Sequence, residues 1–433
     1  MLKVLKDAFK DKSILKRILF TFFILLIFRM GAFITVPGVN AAALQGLADN
    51  QFFNVFNMVS GSAMQNFSLF AMGVSPYITA SIVVQLLEMD IVPKFVEWGK
   101  QGEVGRRKLN QVTRYVTLVL AFIQSIGITA GFNLYSGSNL VKEANLTTYA
   151  TIGIVLTAGV MILTWMGELI TEKGIGNGVS MIIFAGIVSR LPEQFTMLYD
   201  QYFVGATGSQ LSKVTFYAII FAIVALIIVA LTTFVQQAER RLPIQYTKRV
   251  SGAPSNSYLP IKVNASGVIP VIFASSLLAT PSAILQLFAS KWGGASWYDV
   301  ATTITNYQTV PGCTIYFVLI IAFTFFYSFV QVNPEKLAEN LQKQGSYIPH
   351  VRPGKGTEKY ISGLLLRLSV VGSIFLALVS IIPIIGQQVF DLPASIGLGG
   401  TSLLIVIGVA LEFVKQLEGL LMKRQYVGFI HNK

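Results

Sequence analysis

From residue 69 to residue 87 the chain runs for nineteen residues without a formal charge. That is about the length a helix needs to cross the roughly 30 Å hydrocarbon core of a bilayer. With nine further apolar runs, the expected spans lie near residues 18–36, 69–87, 112–132, 149–167, 179–191, 214–235, 267–289, 315–332, 361–385 and 395–414, of which the fifth is short. With 53% hydrophobic and 12% charged residues and a mean hydropathy of +0.64, the chain has too little polar surface for a water-soluble fold. It reads as an all-α polytopic membrane protein. The start, MLKVLKDAFKDKSILKR before an apolar run, resembles a signal peptide, but the run is longer than the usual apolar stretch of one and nine spans follow. It is therefore read as a retained first helix.

The segment ahead of the second run has a different character. Residues 57–68 (NMVSGSAMQNFS) mix apolar side chains with Ser60, Gly61, Ser62, Gln65 and Asn66, too short and too polar to cross lipid alone. Loose backbone groups cost several kcal/mol each in hydrocarbon, so the segment is expected to re-enter where protein or water surrounds it. Gly73 and Pro76 are expected to interrupt the first turns of the second span. A re-entrant piece hinged to a broken helix marks a conducting or transporting site. The alternative is an amphipathic connector on the outer surface.

Charge distribution orients the spans. Lys and Arg gather in the N-tail (Lys3 to Arg17), after span two (Lys94 to Arg114), at Lys173, after span six (Arg240 to Lys262), after span eight (Lys336 to Lys359) and in the C-tail. Of the 33 basic residues, only Lys142, Arg190, Lys213 and Lys291 fall in the opposite loops, and Arg29 and Arg367 fall within spans. Basic loops face the cytoplasm, which places both termini there. The polar outer loop near residues 205–212 divides the spans into two sets of five, residues 1–204 and 213–433, with cytoplasmic loops near 236–264 and 333–360. An odd number per set makes the halves enter in opposite directions, an inverted repeat. Span seven, with Gly267, Pro270 and Pro281, is expected to be interrupted as span two is.

Catalytic chemistry finds few residues to use. There is no phosphate loop, and GIGNG at 174–178 fits a tight reversal between spans four and five. Neither HExxH nor GxSxG occurs, and both histidines, His350 and His431, lie in cytoplasmic segments. The single cysteine, Cys313, excludes an internal disulfide and a cysteine metal cluster, so no metal or cofactor is expected and the chain is not read as an enzyme. Ion coupling normally places carboxylates within spans, and only Glu412 is a candidate. An inverted-repeat secondary transporter of a small solute remains the alternative, and a ribosome receptor without a conducting role is a third reading.

Seven blocks along the chain carry a resemblance. They are FRMGAFITVPGVN (28–40), SPYITASIVVQLL (75–87), QGEVGRRKLNQVTRY (101–115), GELITEKGIGNGVS (167–180), LPIKVNASGVIPVIFASS (259–276), VRPGKGTEKY (351–360) and GGTSLLIV (399–406). Together they resemble the SecY/Sec61-alpha family of protein-conducting channels. The resemblance implies ten transmembrane helices in two inverted five-helix halves around a central pore, with a short re-entrant plug helix. Matching positions make the plug Asn57, Met58, Val59, Ser60, Gly61, Ser62, Ala63, Met64, Gln65, Asn66 and Phe67, and the pore ring Val74, Ile78, Ile183, Ile272 and Ile405. Without the resemblance these apolar residues read as ordinary helix packing.

The family also implies a lateral gate between helices two and three and helices seven and eight, with Thr79, Gln85, Gln124 and Thr280 as candidates. Simple interhelical hydrogen bonds explain those polar residues equally well. Arg106, Arg107, Arg240, Arg241 and Arg352 are the implied docking surface for a SecA motor ATPase or a ribosome; for each, topology alone explains a cytoplasmic positive charge. The implied partners also include SecE-like and SecG-like small membrane subunits, signal peptides, unfolded secretory or membrane proteins and the lipid bilayer. The implied location is a bacterial cell (plasma) membrane.

Overall fold

The computed structural model describes residues 8–40, 43–44, 60–61, 63–88, 92–135, 140–142, 145–202, 209–246, 257–287, 292, 294–306, 309–389 and 400–431. In chain order its helices are α1 (Lys12–Gly31), α2 (Ser75–Glu88), α3 (Pro93–Lys100), α4 (Glu103–Tyr135), α5 (Leu146–Lys173), α6 (Gly178–Tyr202), α7 (Ser209–Gln237), α8 (Ile269–Leu287), α9 (Ser296–Thr305), α10 (Val310–Gln331), α11 (Pro334–Lys343), α12 (Lys355–Val389) and α13 (Gly400–His431). Strands β1 (Glu239–Tyr246) and β2 (Ser257–Lys262) separate α7 from α8, and β3 (Ser346–Tyr347) separates α11 from α12. The apolar runs fall on α1, α2, α4 to α8, α10, α12 and α13.

Among the described residues four helical stretches have both the length and the apolarity to cross a bilayer: Glu103–Asn133, Leu146–Lys173, Val310–Lys343 and Lys355–Ile382. The chain is a membrane protein. At two of the expected spans the helix and the apolar run do not coincide. Lys16, Arg17 and Arg29 fall within α1, and α2 keeps only 14 residues because 69–74 are used in turns. Apolar side chains also face outward: Phe22 and Phe23 of α1 are 64% and 60% exposed, a surface that lipid and not water would cover.

Local chemistry sets the helix ends. The Asp11 carboxylate accepts from the Ser13 and Ile14 amides at 2.9 and 3.5 Å, and the Asn333 side chain accepts from the Lys336 amide at 3.0 Å, each satisfying donors that the first turn leaves unpaired. Pro76 and Pro270 are the second residues of α2 and α8. The expected break in the first turns of both runs is present, and the prolines follow it at the helix starts, where they sacrifice no internal hydrogen bond. The bends lie just ahead, at Phe67, Gly73 and Gly267 with φ of 40°, 58° and 64°. Pro281 lies inside α8, which continues past it.

Helix α4 packs on α5 and α2, α8 on α4, α10 and α2, and α13 on α12, α6 and α7. The turn joining α5 to α6 is as tight as the glycines suggested. A Cβ on Gly178 would stand 1.8 Å from the Gly167 carbonyl oxygen, and Gly176 takes φ +92°. The turn's amides are held from both ends of the chain: Ile175 N donates to Thr21 Oγ1 at 3.1 Å and Gly176 N to Gln416 Oε1 at 2.7 Å.

A small sheet departs from the all-α expectation. Its order is β2-β1-β3, antiparallel throughout, with Leu242 opposite Leu259 and Gln245 opposite Tyr347.

Candidate functional site: an apolar constriction and a basic platform

The segment leading into α2 is stitched to the end of α1. Val36 N donates to Phe67 O at 3.0 Å and Leu69 N to Ile34 O at 2.9 Å, forming a bridge of Thr35 with Ser68. Ser60 Oγ accepts from the Met64 amide at 3.2 Å. Ala63, Met64 and Phe67 are fully buried. Residues 63–67 run as turns and not as a helix, while Asn57, Met58, Val59 and Ser62 lie outside the described residues. Those turns sit on α5, where Gly159 leaves room for the Leu69 carbonyl.

The five aliphatic positions belong to one extended apolar core. Val74, just before α2, Ile78 on α2, Ile183 on α6 and Ile405 on α13 are buried in one apolar cluster, against which the half-buried Ile272 of α8 packs. They come from sequence positions spread over most of the chain, so only the tertiary fold assembles them. Branched aliphatic side chains such as these offer no hydrogen bond to water or ions.

Strands β1 and β2, helix α11, Ile348 just after β3 and the start of α12 share a second core of Leu242, Ile244, Ile261, Leu341, Ile348, Ile361 and Leu365. Arg240 and Arg241 stand exposed on β1, and Arg241 is bonded to Glu239 at 2.9 Å and lies 4.9 Å over the Tyr258 ring. That hydrogen bond, with Tyr258 and the Glu239 charge, raises the Arg241 guanidinium pKa further above its already high ordinary value. The exposed Arg352 lies in the loop after β3, its carbonyl accepting from Thr357 Oγ1 at 3.1 Å. At the edge of β2, desolvation and then the Lys415 charge hold the Lys262 ammonium below the usual lysine range, opposed by Glu412 and Glu239. Replacing Ile261 by alanine is expected to cost about 2–5 kcal/mol of this local core. The check is limited proteolysis of reconstituted protein, with faster cleavage between β1 and β2.

A sequence profile described as SecY matches residues 68–414. The chain belongs to the SecY family. It is 60% identical over 431 residues to the protein translocase subunit SecY of Lactococcus lactis subsp. cremoris, covering 99% of this chain and 98% of that one. Its fold is similar to a solved protein-conducting channel, with TM-score 0.63 at 18% identity over 94% of this chain and 92% of that chain. It is also similar to Sec61 in a canine ribosome-channel complex, with TM-score 0.60 at 16% identity over the same shares.

In this SecY-family chain, the gate candidates lie on helices that touch, since α8 packs against both α2 and α4. Thr79 and Gln124 are buried. Thr79 Oγ1 donates to Ser75 O at 3.2 Å and Gln85 Nε2 to Ser81 Oγ at 3.1 Å, so these recorded bonds run along α2 and not across the seam. Thr280 lies on α8, its side chain outside the described residues. Of the docking candidates, the sheet joins Arg240 and Arg241 to the loop of Arg352. Arg106 and Arg107 stand apart on the first turns of α4, where Arg107 is bonded to Glu103 at 2.8 Å.

Arg29, a charge within an expected span that must face protein or water, bonds to the Gly61 carbonyl, whereas sequence reasoning missed the sheet and Glu193, which also reaches the turn before α2. The sheet had a signal in the alternation of buried Leu242 and Ile244 in ERRLPIQY, period two and not helical. Glu193 had none, because its partner is 128 positions away.

Proposed function

We propose that this SecY-family chain is the channel subunit of a protein translocase, passing unfolded secretory polypeptides across a bacterial plasma membrane and releasing apolar segments sideways into lipid. The observation that carries the proposal is the shared cluster of Val74, Ile78, Ile183, Ile272 and Ile405, drawn from both ends of the chain. In this reading the ten helices form two inverted halves, residues 1–204 and 213–433, with both termini cytoplasmic. The segment 57–67 is the plug, and Thr79, Gln85, Gln124 and Thr280 mark the seam. A polypeptide crossing through a hydrated pore keeps its backbone hydrogen bonds with water, whereas a sufficiently apolar helix leaves through the gate.

The chain is not an enzyme in this reading, and an external motor supplies the push. Arg240, Arg241 and Arg352 support a cytoplasmic platform for a SecA-like ATPase or for ribosomal RNA phosphates, with Arg106 and Arg107 a separate basic site on α4. The ribosome is carried over from the canine Sec61 complex, and SecE-like and SecG-like subunits complete the channel. The solute-transporter alternative gains nothing, since Glu412, its coupling candidate, is exposed and placed within reach of the Lys262 charge. Reversing Arg240 and Arg352 to glutamate together is expected to weaken motor or ribosome binding by about tenfold or more, with a shallower salt dependence in a flotation assay.

The deciding experiment places cysteine at Ile78 in a Cys313→Ser background, with a secretory chain carrying one cysteine stalled in transit. A disulfide that forms only with the motor or ribosome engaged supports the reading. Reaction at lipid-facing or loop cysteines alone overturns it.

A further inference from the structure

The turn before α2 is held by a cation that the constriction does not require. Arg29, in the last turn of α1, donates from Nη1 to the Gly61 carbonyl at 2.6 Å and lies 4.9 Å from the Phe33 ring centroid. Gly61 has φ +65°, and an added Cβ there would stand 2.5 Å from Gly186 Cα, so the backbone of the turn is seated directly on α6. Farther along the same helix, Glu193 Oε1 accepts from Gln65 Nε2 at 3.4 Å. Two helices thus reach the turn at its two ends with charged side chains.

We propose that Arg29 and Glu193 are a closed-state latch, positioning residues that keep Gly61 and the turns at 63–67 seated against the apolar core that holds Ala63, Val74 and Ile78. This rests on the channel reading given above. Both recorded partners of Arg29 are neutral, so the hold is directional: a planar guanidinium donates to a carbonyl while its face rests on an aromatic ring. Withdrawing the turn breaks a charge-assisted hydrogen bond, which biases the resting protein toward the seated state. Glu193 fixes the far end, so the turn cannot pivot about Gly61 alone.

The test measures resting ion leak through the whole complex in planar bilayers. In a Cys313→Ser background, Arg29→Met is expected to raise resting leak about tenfold, the factor that loss of one hydrogen bond to a charged group implies. Arg29→Lys is expected to restore part of the seal, since it keeps a donor without the fork. Bridging a Gln65→Cys, Glu193→Cys pair in the Arg29→Met protein with a short bis-maleimide is expected to return the leak to the parent level, which a general folding defect would not permit. A leak unchanged by Arg29→Met, or one that the verified cross-link does not silence, overturns the latch. If Arg29→Met fails to assemble, Gln65→Leu alters only the turn; a leak of about threefold supports the latch and none overturns it. The stalled-chain cross-link at Ile78→Cys is run alongside. If that fails, the channel reading falls; if it succeeds while the latch variants stay silent, only the latch falls.

Discussion

Replacing Ile78 and Ile405 together by asparagine is expected to turn a sealed resting protein into one that conducts small ions steadily. Both side chains are buried in the shared cluster, 6% and 4% exposed. An amide moved into such a site without a partner costs roughly 1–3 kcal/mol by mutational measures. Two of them shift the balance between the dry and the wet constriction by about 2–6 kcal/mol, a factor of roughly thirty or more. The constriction is then wetted, because asparagine supplies the hydrogen bonds that the aliphatic collar withholds. Single-channel recording of the reconstituted complex without a translocating chain is the measurement. Conductance equal to that of the parent removes the cluster as the seal. Ile78→Leu with Ile405→Leu, which keeps volume and polarity, is expected to stay sealed.

The second large effect is structural. Gly159 on α5 faces the carbonyl of Leu69, and a Cβ there would stand 1.9 Å from that oxygen. The obstacle is backbone, and Leu69 is itself tied to α1 through its amide bond to Ile34 O at 2.9 Å. Relief therefore requires moving the turn, α1 or α5. Gly159→Val is expected to destabilise the protein by about 3 kcal/mol, at the upper end of overpacking costs. Loss of folded material in fluorescence-detected size exclusion, and a lower melting temperature for what remains, are the readouts. By contrast, nothing lies within 4 Å of a Cβ added at Gly419, so Gly419→Ala serves as the matched control with unchanged elution.

Composition and run length alone determined that this chain lives in a bilayer, because a span needs nothing beyond about twenty apolar residues. Matching blocks such as GELITEKGIGNGVS and VRPGKGTEKY were enough to point to the family, and the glycines of GIGNG already marked the reversal that Gly176 and Gly178 make. Ile78, Ile183 and Ile405 could be singled out only by resemblance, since a buried isoleucine in a span has no local mark that separates a pore from packing. What the tertiary structure decided depends on distance along the chain. The hydrogen bond from Arg29 to Gly61 spans 32 positions, and the pairing of Gln245 with Tyr347 joins two separate loops. Helix bounds also shifted where tertiary partners outweighed apolarity. Residues 69–74 read as membrane span, yet Leu69 N donates to Ile34 O, Ala71 N to Ser68 O and Gly73 N to Phe70 O, so these amides are satisfied in turns instead. Apolar pattern records how a segment meets its solvent, whereas the partners that close a constriction or hold a turn are set by backbone and side-chain hydrogen bonds between segments that no local pattern encodes.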